Sequence, residues 1–106
     1  MKTISYQKFL DNNGEERLNL KIKANKLREM DIIVQYESCI ENKWTPVVRY
    51  DCSNGFFHRD LLFPEGEKEK QIISISSLEE ALNYAEMDIK DRWEFYKEKY
   101  LNKLRK

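Results

Sequence analysis

A chain of 106 residues whose 19 basic and 19 acidic side chains cancel has the size of one domain, and folding at that length removes roughly 65% of the extended chain's surface from water. Hydrophobic residues at 41% and charged residues at 36%, with a mean hydropathy of -0.80, argue against a disordered chain and describe a globular one with a surface dense in Lys and Glu. Zero net charge excludes a whole-molecule field that would draw the protein onto nucleic acid or an anionic membrane, so nucleic-acid binding would have to rest on a local patch.

Residues 1 to 20 alternate polar and apolar positions and contain no apolar run suited to a signal peptide or a membrane span, which makes the cytoplasm the expected address. Cys39 and Cys52 match neither a disulfide framework nor a zinc pattern, and both are expected to be reduced thiols. Three glycines in the whole chain leave no room for a glycine-rich phosphate loop, which removes kinase, NTPase and dehydrogenase readings. No repeat, Pro/Gly/Ser linker or low-complexity tract interrupts residues 1 to 106, and a single domain is expected.

In chain order, the first signal is the turn "DNNG" (Asp11 to Gly14), whose Asn-Gly dipeptide suits a hairpin and lets residues 3 to 10, with their weaker alternation, supply a strand ahead of it. "ERLNLKIKA" is the clearest strand: Leu18, Leu20, Ile22 and Ala24 alternate with Arg17, Asn19, Lys21 and Lys23. "DIIVQYESCI" and "KWTPVVRYD" are rich in β-branched and aromatic residues and read as a hairpin about Glu41-Asn42. Pro46 cannot donate to a ladder, which marks that end of its strand as an edge or a bulge. "GFFHRDLLF" follows as a strand. Phe63-Pro64-Glu65-Gly66 has the chemistry of a type I turn, after which "EKEKQIISI" returns antiparallel.

The pattern then changes period. Ser77 and Glu80 read as a capping box, and Leu78, Leu82, Ala85, Ile89, Trp93, Tyr96, Tyr100 and Leu104 step by three or four residues along one stripe. Acidic residues occupy the first half and basic ones the last turns, complementing the helix dipole. A helix from 78 to 104 would be about 40 Å long, against a diameter near 33 Å for a compact chain of this size. Its end is therefore expected to overhang the sheet and to present Trp93, Tyr96, Tyr100 and Leu104 to a second copy or another chain.

The chemistry-bearing stretch is "VVRYDCSNGFFHRDLLF", which holds the chain's one histidine. Side chains in a strand alternate faces, so Arg49 and Asp51 share a side of one strand while His58 and Asp60 share a side of the next. Across a tight "DCSNG" loop these four converge if the register brings those sides together. A histidine held by an aspartate acts as general acid or base near neutral pH, and a guanidinium supplies the fork that binds phosphate or carboxylate. That set suits hydrolysis or transfer at a phosphodiester. The structural alternative has Arg49 and Arg59 paired with Asp51 and Asp60 across strands, with His58 bonded to a backbone carbonyl. Asp51, His58 and Asp60 are too few donors for a metal site, and no metal or cofactor is expected. The basic segment "KEKYLNKLRK" and the strand aromatics Tyr36, Trp44, Tyr50, Phe56 and Phe57 read better as a helix cap and a core than as a nucleic-acid surface.

The run "RYDCSNGFFHRD", preceded by the strand bearing Trp44 and followed by a helix, resembles short prokaryotic proteins with an Arg-Tyr-Asp, a His-Gly loop and a terminal His-Arg-Asp, and is distantly similar to the TumE-like toxins of toxin-antitoxin pairs. The resemblance spans residues 43 to 100. It implies a toxin role, with an antitoxin-like protein as partner, and sets Arg49, Tyr50, Asp51, Gly55, His58, Arg59 and Asp60 at the recurring positions. Asn54 stands where the pattern has a histidine. On this basis His58, Arg49, Asp51 and Asp60 are the catalytic candidates and Arg59, Tyr50 and Asn54 the substrate-binding ones.

The expected fold is α+β, an antiparallel meander of about five strands with one long C-terminal helix across one face. Two functions fit it: a toxin-like module acting on RNA or another phosphate-bearing substrate, or a non-catalytic domain that binds a partner or a second copy through its helix.

Overall fold

In the computed structural model, residues 2–24, 30–53 and 56–105 are described. The chain forms β1 (Lys2–Phe9), β2 (Glu16–Ala24), β3 (Met30–Ile40), β4 (Lys43–Ser53), β5 (Phe56–Leu62), a short 3-10 turn (Pro64–Gly66), β6 (Lys68–Ile72) and α1 (Leu78–Leu104). The strands lie in one sheet in sequence order, every neighbouring pair antiparallel. This is the expected α+β meander with one correction: it has six strands rather than five. The additional one is β1, whose side chains from Thr3 to Phe9 are all exposed, so its inward positions lack the apolar regularity that a buried strand imprints on a sequence.

Turn chemistry explains the connections. Gly14 takes φ 71° in the first hairpin, and Glu41 and Asn42 take φ 53° and 62° in the β3–β4 hairpin, the pair of left-handed residues that a type I′ turn needs to match strand twist. The turn after β5 differs from expectation. Glu65 sits at φ 67°, the left-handed conformation that a type II turn requires at its third position, not the right-handed one of type I. With Gly66 also at φ 84°, the chain reverses tightly enough for the Phe63 N–H to donate to the Glu67 carbonyl at 2.8 Å.

One face of the sheet is covered. Leu18, Leu20, Ile32, Val34, Tyr36, Val48, Tyr50, Cys52, Phe57 and Leu61 are buried, as are Ala81, Ala85, Ile89, Tyr96 and Tyr100 of α1. The two alanines carry no side chain beyond Cβ, which lets the helix backbone approach the sheet closely. The N-terminus of α1 is capped as predicted at Ser77, whose Oγ accepts from the Glu80 N–H at 3.1 Å. The reciprocal bond is displaced by one residue: the Glu80 carboxylate accepts from the Ser76 N–H at 3.0 Å and from the Ser76 hydroxyl, and these donors hold its pKa below the usual carboxylate value.

The expected overhang of α1 is not found. The molecule measures 45 × 26 × 23 Å, so the spherical diameter underestimated its length, and strands of 11 residues such as β3 and β4 span about 36 Å. Tyr96 and Tyr100 are consequently buried against the chain's own core, Trp93 is half-buried and packs edge-on to Tyr36 at 6.1 Å, and Leu104 is exposed. No described helix is long and apolar enough to cross a membrane.

Candidate functional site on the open sheet face

Strand alternation sends every second side chain of β1 to β5 to the face that α1 does not cover. The register aligns them in rows: Arg49 lies opposite Asp60 and Asp51 opposite His58 across β4 and β5, Gln35 lies opposite Arg49 across β3 and β4, and Asn19 lies opposite Gln35 across β2 and β3. The four catalytic candidates are thus brought together on one face. The His58 side chain is 16% exposed, and its Nε2 stands 3.5 Å from Asp60 Oδ2, an ion-pair contact longer than a normal hydrogen bond. The second oxygen, Oδ1, is buried with no partner among the described residues.

Arg49 does not pair with either aspartate among the described residues. Its Nε donates instead to Gln35 Oε1 at 2.7 Å. Gln35 Nε2 in turn donates to Glu37 Oε2 at 2.7 Å, and Glu37 Oε1 accepts from Asn19 Nδ2 and from Arg17 Nε, each also at 2.7 Å. Gln7 of β1 extends the row, its amide oxygen turned to accept from Arg17 Nη1 at 2.9 Å. The Arg17 guanidinium stacks on Trp44 at 3.8 Å, a cation–π contact that fixes this end of the row. A bulge aims Glu37: the pairing passes from Tyr36–Val48 to Glu37–Pro46, leaving Val47 as the extra residue on β4, and an extra residue of this kind re-aims the side chains beside it.

A groove of about 650 Å³ runs over these residues, lined among others by Gln7, Asn19, Gln35, Glu37, Arg49 and Asp51. It crosses from β1 to β4, which at strand spacing is about 14 Å. Its lining mixes guanidinium, carboxamide and carboxylate groups, so it is built for a polar ligand rather than for an apolar one. No group of three or more metal-ligating side chains is found among the described residues.

Tyr50 and Arg59, which motif spacing grouped with His58, lie on the opposite face. They form a second cluster under α1. Tyr50 and Tyr96 both donate to Asp88 Oδ2 at 2.5 Å, Arg59 Nη1 donates to the Tyr96 hydroxyl at 3.0 Å, and Arg92 Nη1 stands 3.7 Å from Asp88 Oδ1. Burial, with the Asp88 carboxylate as acceptor, pushes the Tyr96 hydroxyl up to about 12 and the Tyr50 hydroxyl well above its ordinary value. This cluster ties helix to sheet; it does not face the groove. Asn54 and Gly55 lie outside the described residues. The groove residues Asn19, Gln35 and Glu37, and Arg17 beside them, were missed from sequence, although period-two alternation puts all four on the polar sides of β2 and β3.

A family model described as a domain of unknown function (DUF7718) matches residues 1–106. Neither a curated protein nor a solved structure matches the chain.

Proposed function

We propose that this chain, which belongs to the family of that domain of unknown function over its whole length, is a toxin-like module acting on a phosphate-bearing substrate, with RNA as the substrate class. What supports the reading is one observation: Arg49, Asp51, His58 and Asp60 meet across β4 and β5 on the uncovered face, with an imidazole 16% exposed beside two residues of a polar groove. Arg49 and Asp51 line that groove.

In the proposed reaction His58 accepts the proton of an attacking ribose 2′-hydroxyl. The 2′ oxygen bonds to phosphorus, the bond to the 5′ oxygen breaks, and the proton passes through water to the departing oxygen. Asp60 supports the imidazolium, Asp51 faces it across the strands, and Arg49 binds a non-bridging phosphate oxygen. A cytoplasmic setting fits two unbridged cysteines, of which Cys52 is buried. Loss of one general base typically costs 10²- to 10⁴-fold, so His58→Ala should abolish RNA cleavage by the purified protein and relieve growth arrest on induced expression. Unchanged cleavage by a folded His58→Ala protein removes the reading.

A second reading is a non-catalytic partner-binding or self-associating domain. It is favoured by the exposed Ile4, Tyr6 and Phe9 on β1, the first edge of the sheet, rather than by the expected helix stripe, whose Tyr96 and Tyr100 are buried. Sedimentation of the wild type against Ile4→Lys separates the two readings: a dimer that dissociates on this change, in a protein without cleavage activity, favours the second.

A further inference from the structure

The side chains of Arg17, Asn19, Gln35, Glu37 and Arg49 form a connected network on a face that no layer covers. These groups are partly buried, and their pairing must first repay desolvation and side-chain entropy, so stability alone gives modest reason for it. The network has a direction. Glu37 accepts three donors at 2.7 Å, and because one of them is Gln35 Nε2, the Gln35 amide can present only its oxygen to the other side. That oxygen holds Arg49 Nε at 2.7 Å. A guanidinium has five N–H donors in a planar fork. Fixing Nε fixes the plane, and the terminal nitrogens, which have no partner among the described residues, are left to the groove that Arg49 lines.

We infer that Glu37 and Gln35 are positioning residues that orient Arg49 as the phosphate-binding fork of the groove, so that anion recognition depends on a carboxylate of β3, opposite the β4 bulge and two strands away from the His58 motif. This rests on the reading that the groove takes a phosphate-bearing ligand, and it adds how the site selects one. A carboxylate held near a phosphate site would by itself repel the ligand. Here the Glu37 charge is offset by Arg17 and spent on orienting an amide, and neither Asp51 nor Asp60 pairs with Arg49 among the described residues, so the fork is not neutralised before the anion arrives. Gln35 is the necessary intermediary: an acidic residue in its place would pair with Arg49 directly and neutralise it.

The test uses the full chain, with inorganic phosphate and a short single-stranded RNA as probes. In the wild type, phosphate titration should shift the Arg49 side-chain NMR resonances more than those of Arg17. Gln35→Met and Glu37→Gln should each weaken phosphate binding by about tenfold, the value of one hydrogen bond to a charged group, and the double variant should be little worse than either because the two act in series. Arg49→Ala should remove binding, and Gln35→Glu should weaken it more than Gln35→Met does. Phosphate affinity unchanged in Gln35→Met, or Arg49 resonances indifferent to phosphate in the wild type, overturns the inference. Should Glu37→Gln fail to fold, Gln35→Met and the wild-type titration decide. Phosphate binding that obeys this order in a protein that does not cleave RNA would sink the catalytic reading and leave the relay standing, whereas RNA cleavage insensitive to Gln35 would do the reverse.

Discussion

The two faces of the sheet use the same chemical groups in opposite ways. Beneath α1, the buried carboxylates are saturated: Asp88 serves Tyr50 and Tyr96 and lies near two arginines, and Glu16 accepts from Tyr36 at 2.6 Å and from Lys97 at 2.7 Å. On the uncovered face, Asp60 is buried yet keeps one oxygen without a partner among the described residues, and among them Arg49 is held through one nitrogen only. Arg59 Nε and Ser38 Oγ on the covered side also lack a partner among the described residues, so the contrast is one of carboxylates: satisfied ones fasten a helix to a sheet, while one left partly unsatisfied at the open face stores capacity for a ligand.

That contrast can be broken by substitution. The largest effect is expected at Asp88→Ala, which strands two buried tyrosine hydroxyls and an arginine and should destabilise the fold by about 3 kcal/mol in urea unfolding. The mirror change, Asp60→Asn, removes a charge whose burial is incompletely compensated. It should leave the unfolding midpoint within about 1 kcal/mol of wild type or raise it, while lowering RNA cleavage, the sign expected where stability is given up for activity. A loss of several kcal/mol at Asp60 would erase the distinction between the faces.

Alkaline pH sharpens the same comparison. Tyr96 and Tyr6 are raised from 10.0 to about 12, the first mainly by burial with Asp88 as acceptor, the second by burial and Glu86. The folded state therefore holds these protons more tightly than the unfolded chain. Their contribution is fully present below pH 10 and is lost between about 10 and 12 as pH rises. Unfolding on that ramp should begin at the helix-side cluster, seen as tyrosinate absorbance rising together with loss of helical circular dichroism, and Tyr6→Phe should shift it little because Tyr6 is exposed. The smallest effect belongs to neither face: Asn42→Gly in the β3–β4 turn, where φ is 62°, should stabilise the hairpin by about 0.5 kcal/mol.

Most of the fold was legible because burial on a single face leaves a period-two record, as in Leu18, Leu20 and Ile22, and because Ser77 announces the helix. β1 was harder to count because nothing covers it, and the overhang of α1 was misjudged because a meander with 11-residue strands is elongated rather than round. The His58 cluster was legible from parity within two adjacent strands. Parity also separates Tyr50 from Arg49 and Arg59 from His58, a division that adjacency in a motif conceals. The Glu37–Gln35 relay was not legible, since it depends on registers across β2, β3 and β4 and on a bulge of which Pro46 is the sole trace.

The sheet's two margins have unequal consequences for assembly. β6 shows alternating Lys68, Glu69 and Lys70, all exposed, and such charges deter strand addition. β1 is less guarded: Thr3 to Tyr6 carry no charge, and Lys8 is its exposed charge among the described side chains. Growth by edge pairing could therefore proceed from only one side of each molecule, so two copies joined at β1 would present closed ends to any third. Fibril propagation needs two permissive edges, and the charges of β6 weigh against the second.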